Sequence, residues 1–183
     1  MGTERTYQSY INTESSDEIV ISGIAGRFPS SDNIKQLQKN LFNKINLLRL
    51  NRWDIEHSDL PLRTGTINNL EKFDADFFDI SFKQTNILDP MIRMLLEHSY
   101  EAIIDAGINP KQLRGKNTAV IIGTCYFESQ LSFLYENLQI SDGTIVGCSK
   151  YAAANMLSRT YDLKGPSYTV DTACSSGIQG DSK

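Results

Sequence analysis

The run Asp171-Thr-Ala-Cys-Ser-Ser-Gly177 sets one cysteine among very small residues, directly after the strand-like stretch Ser167-Tyr-Thr-Val170 and nine residues before Lys183. A thiol attacks as its thiolate, and the unpaired N–H groups and dipole at the first turn of a helix favour that anion. The pattern predicts a strand over 167–170 that delivers Cys174 to such a helix start. Ala173, Ser175, Ser176 and Gly177 let the backbone turn sharply and leave room for an acyl group beside the sulfur, as in a nucleophile elbow with Cys in place of Ser. The competing reading is structural, since cysteine is among the most buried residue types and is usually inert in a tight turn.

The other chemistry-bearing residues are few. Cys125, Cys148 and Cys174 form neither a CxxC pair nor an even disulfide framework, and His57 and His98 offer no zinc-ligand spacing. Reduced thiols fit a cytosolic enzyme. His57, between Glu56 and Ser58, reads as a solvated loop residue, and His98 as a partly buried, packed residue of a helix rather than a base.

The elements that must position Cys174 follow from hydrophobic period. Ile19 to Ile24 and Thr118 to Gly123 are short, continuously apolar runs, predicted as strands buried on both faces. Asp32 is the expected cap of a helix with Ile34, Leu37, Leu41 and Ile45 on one side. From Leu48 to Ile87 the pattern is irregular, with Phe73, Phe77 and Phe78 supplying bulk for a core rather than a binding box. Asp89-Pro90 opens a helix with Pro in its first turn, and Gly107 ends it. Ile92, Leu95, Leu96, Ser99, Ile103 and Ala106 line one face, with Arg93 and Glu97 as an i, i+4 pair on another. Phe127 to Leu138 has helical period, Ser141 to Gly143 reads as a loop, and Ser149 to Leu163 as a helix whose Ala152, Ala153 and Ala154 permit close backbone approach. Strands alternating with helices predict an α/β layered domain.

A chain of 183 residues, 40% hydrophobic and 22% charged, supports one domain with a sizeable core. A net charge of −4, with 18 basic residues spread along the chain, excludes nucleic acid and an anionic membrane as primary partners. No apolar run approaches the roughly 20 residues of a membrane span, and the N-terminus lacks the apolar core of a secretory signal, so a cytoplasmic protein is expected. Residues 1–16 read as a disordered leader, where Met1-Gly2 with Thr6 matches the short N-myristoylation pattern at Gly2.

Gly165-Pro-Ser167 followed by Val170-Asp-Thr-Ala-Cys-Ser-Ser176 resembles the active-site signature of the β-ketoacyl synthases, the condensing domains of fatty acid and polyketide synthases. Ile19 to Pro29 resembles that domain's first strand and loop. Phe73-Asp-Ala-Asp-Phe-Phe78, Asp89 to Glu97, and Asp105-Ala-Gly-Ile-Asn-Pro110 with Leu113-Arg-Gly115 match later segments in order. Arg63-Thr-Gly65, Val146-Gly-Cys148 and Tyr161 to Ser167 look more like animal-type fatty acid synthases than modular polyketide synthases.

The resemblance implies a thiolase-like α/β fold, of which residues 17–183 are the first half, truncated soon after the nucleophile. It implies that Cys174 accepts an acyl group as a thioester. The group would arrive on the phosphopantetheine arm of an acyl carrier protein, with no cofactor bound directly, for decarboxylative condensation with a malonyl thioester. It also implies a homodimer in the complete domain. The family's two catalytic histidines lie on motifs after the cysteine, whereas His57 and His98 both precede it, so condensation by this chain alone is not expected. Gln179-Gly-Asp-Ser-Lys183 departs from the apolar helix that follows the family's cysteine. Two other readings stand beside this one: a catalytically inert truncated product that binds an intact synthase, and a small thiol hydrolase pairing Cys174 with His98.

Overall fold

Helix α3 (Pro90–Asp105) is the axis of the core, and its boundaries follow from its ends. Asp89 caps it by accepting from the Met91 N–H at 2.8 Å, Pro90 occupies the position where a missing N–H costs nothing, and Gly107 takes φ 74° beyond the last turn. Asp89 is itself buried, and its second carboxylate oxygen accepts from the Ser129 N–H at 3.2 Å. The computed structural model describes residues 19–50, 59, 61–125, 129 and 149–177.

Among these, β3 (Val120–Gly123) and β4 (Ser167–Val170) form a parallel pair in the register Val120 to Ser167 through Gly123 to Val170. Helix α4 (Lys150–Thr160) packs on both strands and, by its other side, on α3. Ala152, Ala153 and Ala154 are all buried, so the predicted close approach is real. Leu88, Ile92, Leu96, Val120, Ile122, Leu157 and Tyr161 close the core between them. This is the layered α/β arrangement expected of the sequence.

Tyr161 ties two of the layers together. Its hydroxyl lies 3.1 Å from the Leu96 carbonyl oxygen and 3.0 Å from Ser99 Oγ, inside the core. Burial pushes its ionisation up, the Ser99 hydrogen bond offsets part of that, and Tyr100 adds to the rise. A phenol whose folded value is raised holds its proton in the native state, so this contribution is intact below about pH 10 and lost as pH climbs through the higher folded value. Tyr161→Phe is expected to cost about 1 kcal/mol at neutral pH in urea unfolding and to flatten the alkaline decline.

Several elements differ from the sequence expectation. Ile19 to Ile24 is not a buried strand: Ile19, Val20 and Ile21 are 103%, 70% and 86% exposed, and no ladder partner exists for them among the described residues. The segment instead runs along the C-terminal end of α3, where the Ile24 N–H donates to Asp105 Oδ2 at 3.0 Å. Gly23 makes this contact possible, since a Cβ there would sit 2.1 Å from the Ala102 carbonyl oxygen. Strand β3 is buried on alternate residues rather than on both faces.

Helix α1 (Ile34–Phe42) is capped by Asn33, not Asp32, through a bond from the Gln36 N–H to Asn33 Oδ1 at 2.9 Å. Its apolar residues Leu41 and Phe42 are exposed. Within the stretch read as irregular, β1 (Leu48–Leu50) and β2 (Arg63–Gly65) pair antiparallel, and α2 (Phe82–Ile87) starts at a Ser81–Gln84 capping box. Glu97 bonds to the Asp74 N–H at 3.4 Å, while no Arg93–Glu97 ion pair is seen among the described residues. Phe73 and Phe78 stack with ring centroids 5.4 Å apart against the core, as expected, although Phe77 is half exposed. The leader with Gly2, His57, Cys148, and the predicted helix 127–138 and loop 141–143 lie outside the described residues, save Ser129, which is helical. No described helix is long and apolar enough to cross a membrane.

Candidate active site

Strand β4 ends at Val170 and hands the chain to a single 3₁₀ turn, Ala173–Ser175, with Cys174 at its centre. The strand–Cys–turn sequence was legible. The helix start was not quite: Cys174 sits in a tighter turn, which runs on helically through Ser176 and Gly177. Ala173 holds φ 52°, in the left-handed region where a Cβ is strained, and this kink turns the chain back immediately before the thiol. Cys174 is free and exposed.

The two serines after it do more than stay small. Ser176 is buried, its Oγ accepts from the Thr172 N–H at 3.0 Å and donates to the Ala173 carbonyl oxygen at 2.7 Å. Ser175 Oγ donates to the Thr172 carbonyl oxygen at 2.9 Å. Both hydroxyls thus staple the turn to itself, which satisfies polar groups that the sharp bend would otherwise strand.

A second set of contacts fixes the elbow from outside. Asp171 pairs with Lys150, at the first turn of α4, over 2.5 Å, and its other oxygen accepts from the Ala173 N–H at 3.4 Å. The Lys150 hydrogen bond, ahead of that backbone bond, holds the Asp171 carboxyl below the usual carboxylate range. With the folded value depressed, the tie is intact above the unfolded carboxylate range near pH 4 and lost as pH falls through the lower folded value. Both side chains are partly solvated, so Lys150→Met is expected to leave stability at neutral pH little changed while removing this acid-side dependence. Acid titrations of the two proteins, followed by circular dichroism, compare the slopes directly. Lys150 carried no signal in the sequence, because nothing in its own neighbourhood announces a partner 21 positions away.

Cys125 emerges at the same edge. Gly123 pairs with Val170 and the Thr124 N–H donates to the Val170 carbonyl oxygen at 3.1 Å, so Cys125 leaves the ladder on the same side as Asp171. Although Cys125 as a whole is exposed, partial desolvation of its sulfur leads in pushing its ionisation up, and the bond to Asp171 adds to it.

His98 is not brought to Cys174. It stays on α3 with Nδ1 2.8 Å from Glu101 Oε2, its ring largely buried, and no hydrogen bond or ion pair links it to the turn. The reading as a packed helix residue is the one the structure bears out, and a Cys–His hydrolase loses its base. No group of three His, Cys, Asp or Glu residues suited to a metal occurs among the described residues. A cavity of about 840 Å³, lined by Phe77, Phe78, Tyr100, Met156, Arg159 and Tyr161 among others, lies toward the far end of α4 and includes neither thiol.

Comparison with known proteins agrees with this geometry. Residues 16–180 match the family model described as the β-ketoacyl synthase N-terminal domain. The chain is 41% identical over 164 residues to a fatty acid synthase of Anser anser anser, a match that covers 88% of this chain and 47% of that protein. It is 33% identical over 180 residues to a probable polyketide synthase 1 of Dictyostelium discoideum, covering 93% of this chain and 6% of that one. Among solved structures, ketosynthase twelve of the bacillaene polyketide synthase from Bacillus amyloliquefaciens superposes with a TM-score of 0.75 at 33% identity, over 87% of this chain and 28% of that chain. The chain therefore spans about half, or less, of the proteins it matches. The described strands and helices are the N-terminal part of a thiolase-like ketosynthase fold, and the chain belongs to the β-ketoacyl synthase family by its N-terminal domain.

Proposed function

We propose that this chain carries the acyl-accepting portion of a β-ketoacyl synthase, with Cys174 as the group that takes the acyl chain. The observation that carries the reading is the exposed Cys174 thiol at the end of β4, on a kinked turn stapled by Ser175 and Ser176. In the step proposed, the Cys174 thiolate attacks the carbonyl carbon of an acyl thioester. A new C–S bond forms, the old one breaks, and the carrier sulfur leaves as a thiolate that takes up the proton Cys174 gave up on ionising. The backbone N–H of Cys174 is assigned, by family resemblance, as one donor to the developing oxyanion, where a fixed dipole is worth more than a mobile one.

The acyl donor proposed is the phosphopantetheine thioester of an acyl carrier protein. Decarboxylative condensation with a malonyl thioester is assigned to a complete domain, with histidines that the family places after the cysteine, and with a homodimeric partner copy. The higher identity to the goose fatty acid synthase than to the Dictyostelium polyketide synthase supports fatty acyl chains as the substrate class. That both described cysteines are free thiols supports a reducing, cytoplasmic setting.

Acyl transfer from a carrier protein loaded with a radiolabelled fatty acyl group tests the proposal. Label on the wild-type chain, lost in Cys174→Ser and unaffected in His98→Ala, is the expected result. Label that persists in Cys174→Ser would refute it.

A further inference from the structure

Cys125 and Cys174 lie on one edge of the sheet, for reasons set by the backbone. The parallel register brings Gly123 opposite Val170, so the residues after each strand leave side by side. The left-handed kink at Ala173 then folds the turn back over the end of β3, where the Ser176 carbonyl carbon lies 3.0 Å from the place a Cβ on Gly123 would occupy. Cys125 lies two residues beyond Gly123 and Cys174 two residues before Ser176, so this contact brings together the two segments that carry the thiols. Both thiols are free and exposed. Desolvation leads in pushing the Cys125 ionisation up, and the neighbouring Asp171 carboxylate and Cys174 sulfur add to the rise.

We infer that Cys125 is a resolving thiol for Cys174, so that a hydroperoxide closes a reversible Cys125–Cys174 disulfide and switches the acyl acceptor off. The inference rests on the reading of Cys174 as that acceptor. In the first step the Cys174 thiolate attacks one peroxide oxygen. The O–O bond breaks, leaving a sulfenic acid on Cys174, and the departing hydroxide combines with the thiol proton to give water. In the second, the Cys125 sulfur attacks the sulfenic sulfur, forming the S–S bond and breaking the S–O bond. The Cys125 proton combines with the departing hydroxide, giving a second water. Two thiols supply two electrons and hydrogen peroxide accepts them. The disulfide returns to two thiols with an excess of a small thiol reductant. Without Cys125, a Cys174 sulfenic acid has no partner on this edge and proceeds to sulfinic acid, which such reductants do not reverse.

The test uses the full chain, reduced or treated with hydrogen peroxide, with acylation by a fatty acyl thioester and non-reducing peptide mapping read separately. The reduced protein is expected to acylate on Cys174. The oxidised protein is expected to show loss of two hydrogens, a mapped Cys125–Cys174 link, and acylation lost until dithiothreitol restores it. Cys125→Ser is expected to acylate when reduced but, once oxidised, to stay inactive after dithiothreitol. Acylation of the reduced protein with no mapped link, or a link through Cys148 instead, would overturn the switch and leave the acceptor reading standing. A mapped link in a protein that never acylates Cys174 would overturn the acceptor reading, with the thiol pairing intact.

Discussion

Gly123→Val is expected to lower acyl transfer to Cys174 on the order of a hundredfold, the scale of loss that follows when a reacting group moves by about 1 Å. The cause is contact rather than backbone freedom. A Cβ at Gly123 would lie 3.0 Å from the Ser176 carbonyl carbon, 3.1 Å from Ser176 Cβ and 3.2 Å from the Gly177 nitrogen. Two of these are backbone atoms of the turn that carries Cys174, and Ser176 is anchored to Thr172 and Ala173, so the turn cannot yield without moving the thiol. Valine adds two methyl groups to that contact. Because the core residues of β3 point elsewhere, far-ultraviolet circular dichroism should remain close to wild type while the acylation rate falls. An unchanged rate would mean that the turn does not hold the nucleophile where the structure places it.

Leu96→Ala is the substitution expected to cost most in stability. Leu96 is fully buried at the middle of α3, in the cluster with Ile92, Val120, Ile122 and Leu157, and its carbonyl oxygen also anchors Ser99 and Tyr161. Removing the side chain leaves a cavity between α3 and α4 that neighbouring backbone cannot fill. A loss of about 3 kcal/mol, or a fall in Tm of roughly 10 °C by calorimetry, is the expected result. By contrast, Leu41→Ala on α1, where the side chain is 59% exposed, should shift the midpoint by far less.

What the sequence disclosed about this fold tracks how local each signal is. Helix α3 was legible because its cap, its proline, its terminal glycine and its apolar stripe all lie within its own span. The Cys174 elbow was legible for the same reason: strand, small residues and thiol are contiguous. The β1–β2 pairing was not, since Leu48 meets Gly65 through a register that neither segment encodes alone. Ile19 to Ile24 misled because continuous apolarity records a preference for burial, while a strand also requires an edge to pair with. Asn33 took the cap from Asp32 because either residue type can serve and only the backbone geometry decides between them.

The site shows the same division. Cys174 is a candidate by its own neighbourhood and by the family resemblance, and the structure adds the contacts that come from afar. Lys150 reaches Asp171 across 21 positions, and the ladder between β3 and β4 brings Cys125 to the same edge. Ser176 was read as a residue that leaves space, yet its hydroxyl is buried and bonded to two backbone groups. Small size and hydrogen-bonding capacity are both properties of serine, and burial determines which one a position uses.

The measurement that bears most directly on Cys174 as acyl acceptor is the mass of the purified, reduced chain after incubation with a long-chain acyl thioester, followed by peptide mapping. One added acyl group, located on the peptide that contains Cys174 and removed by hydroxylamine as a thioester, is the predicted result. An unmodified mass, or label spread equally over Cys125, Cys148 and Cys174, would contradict it.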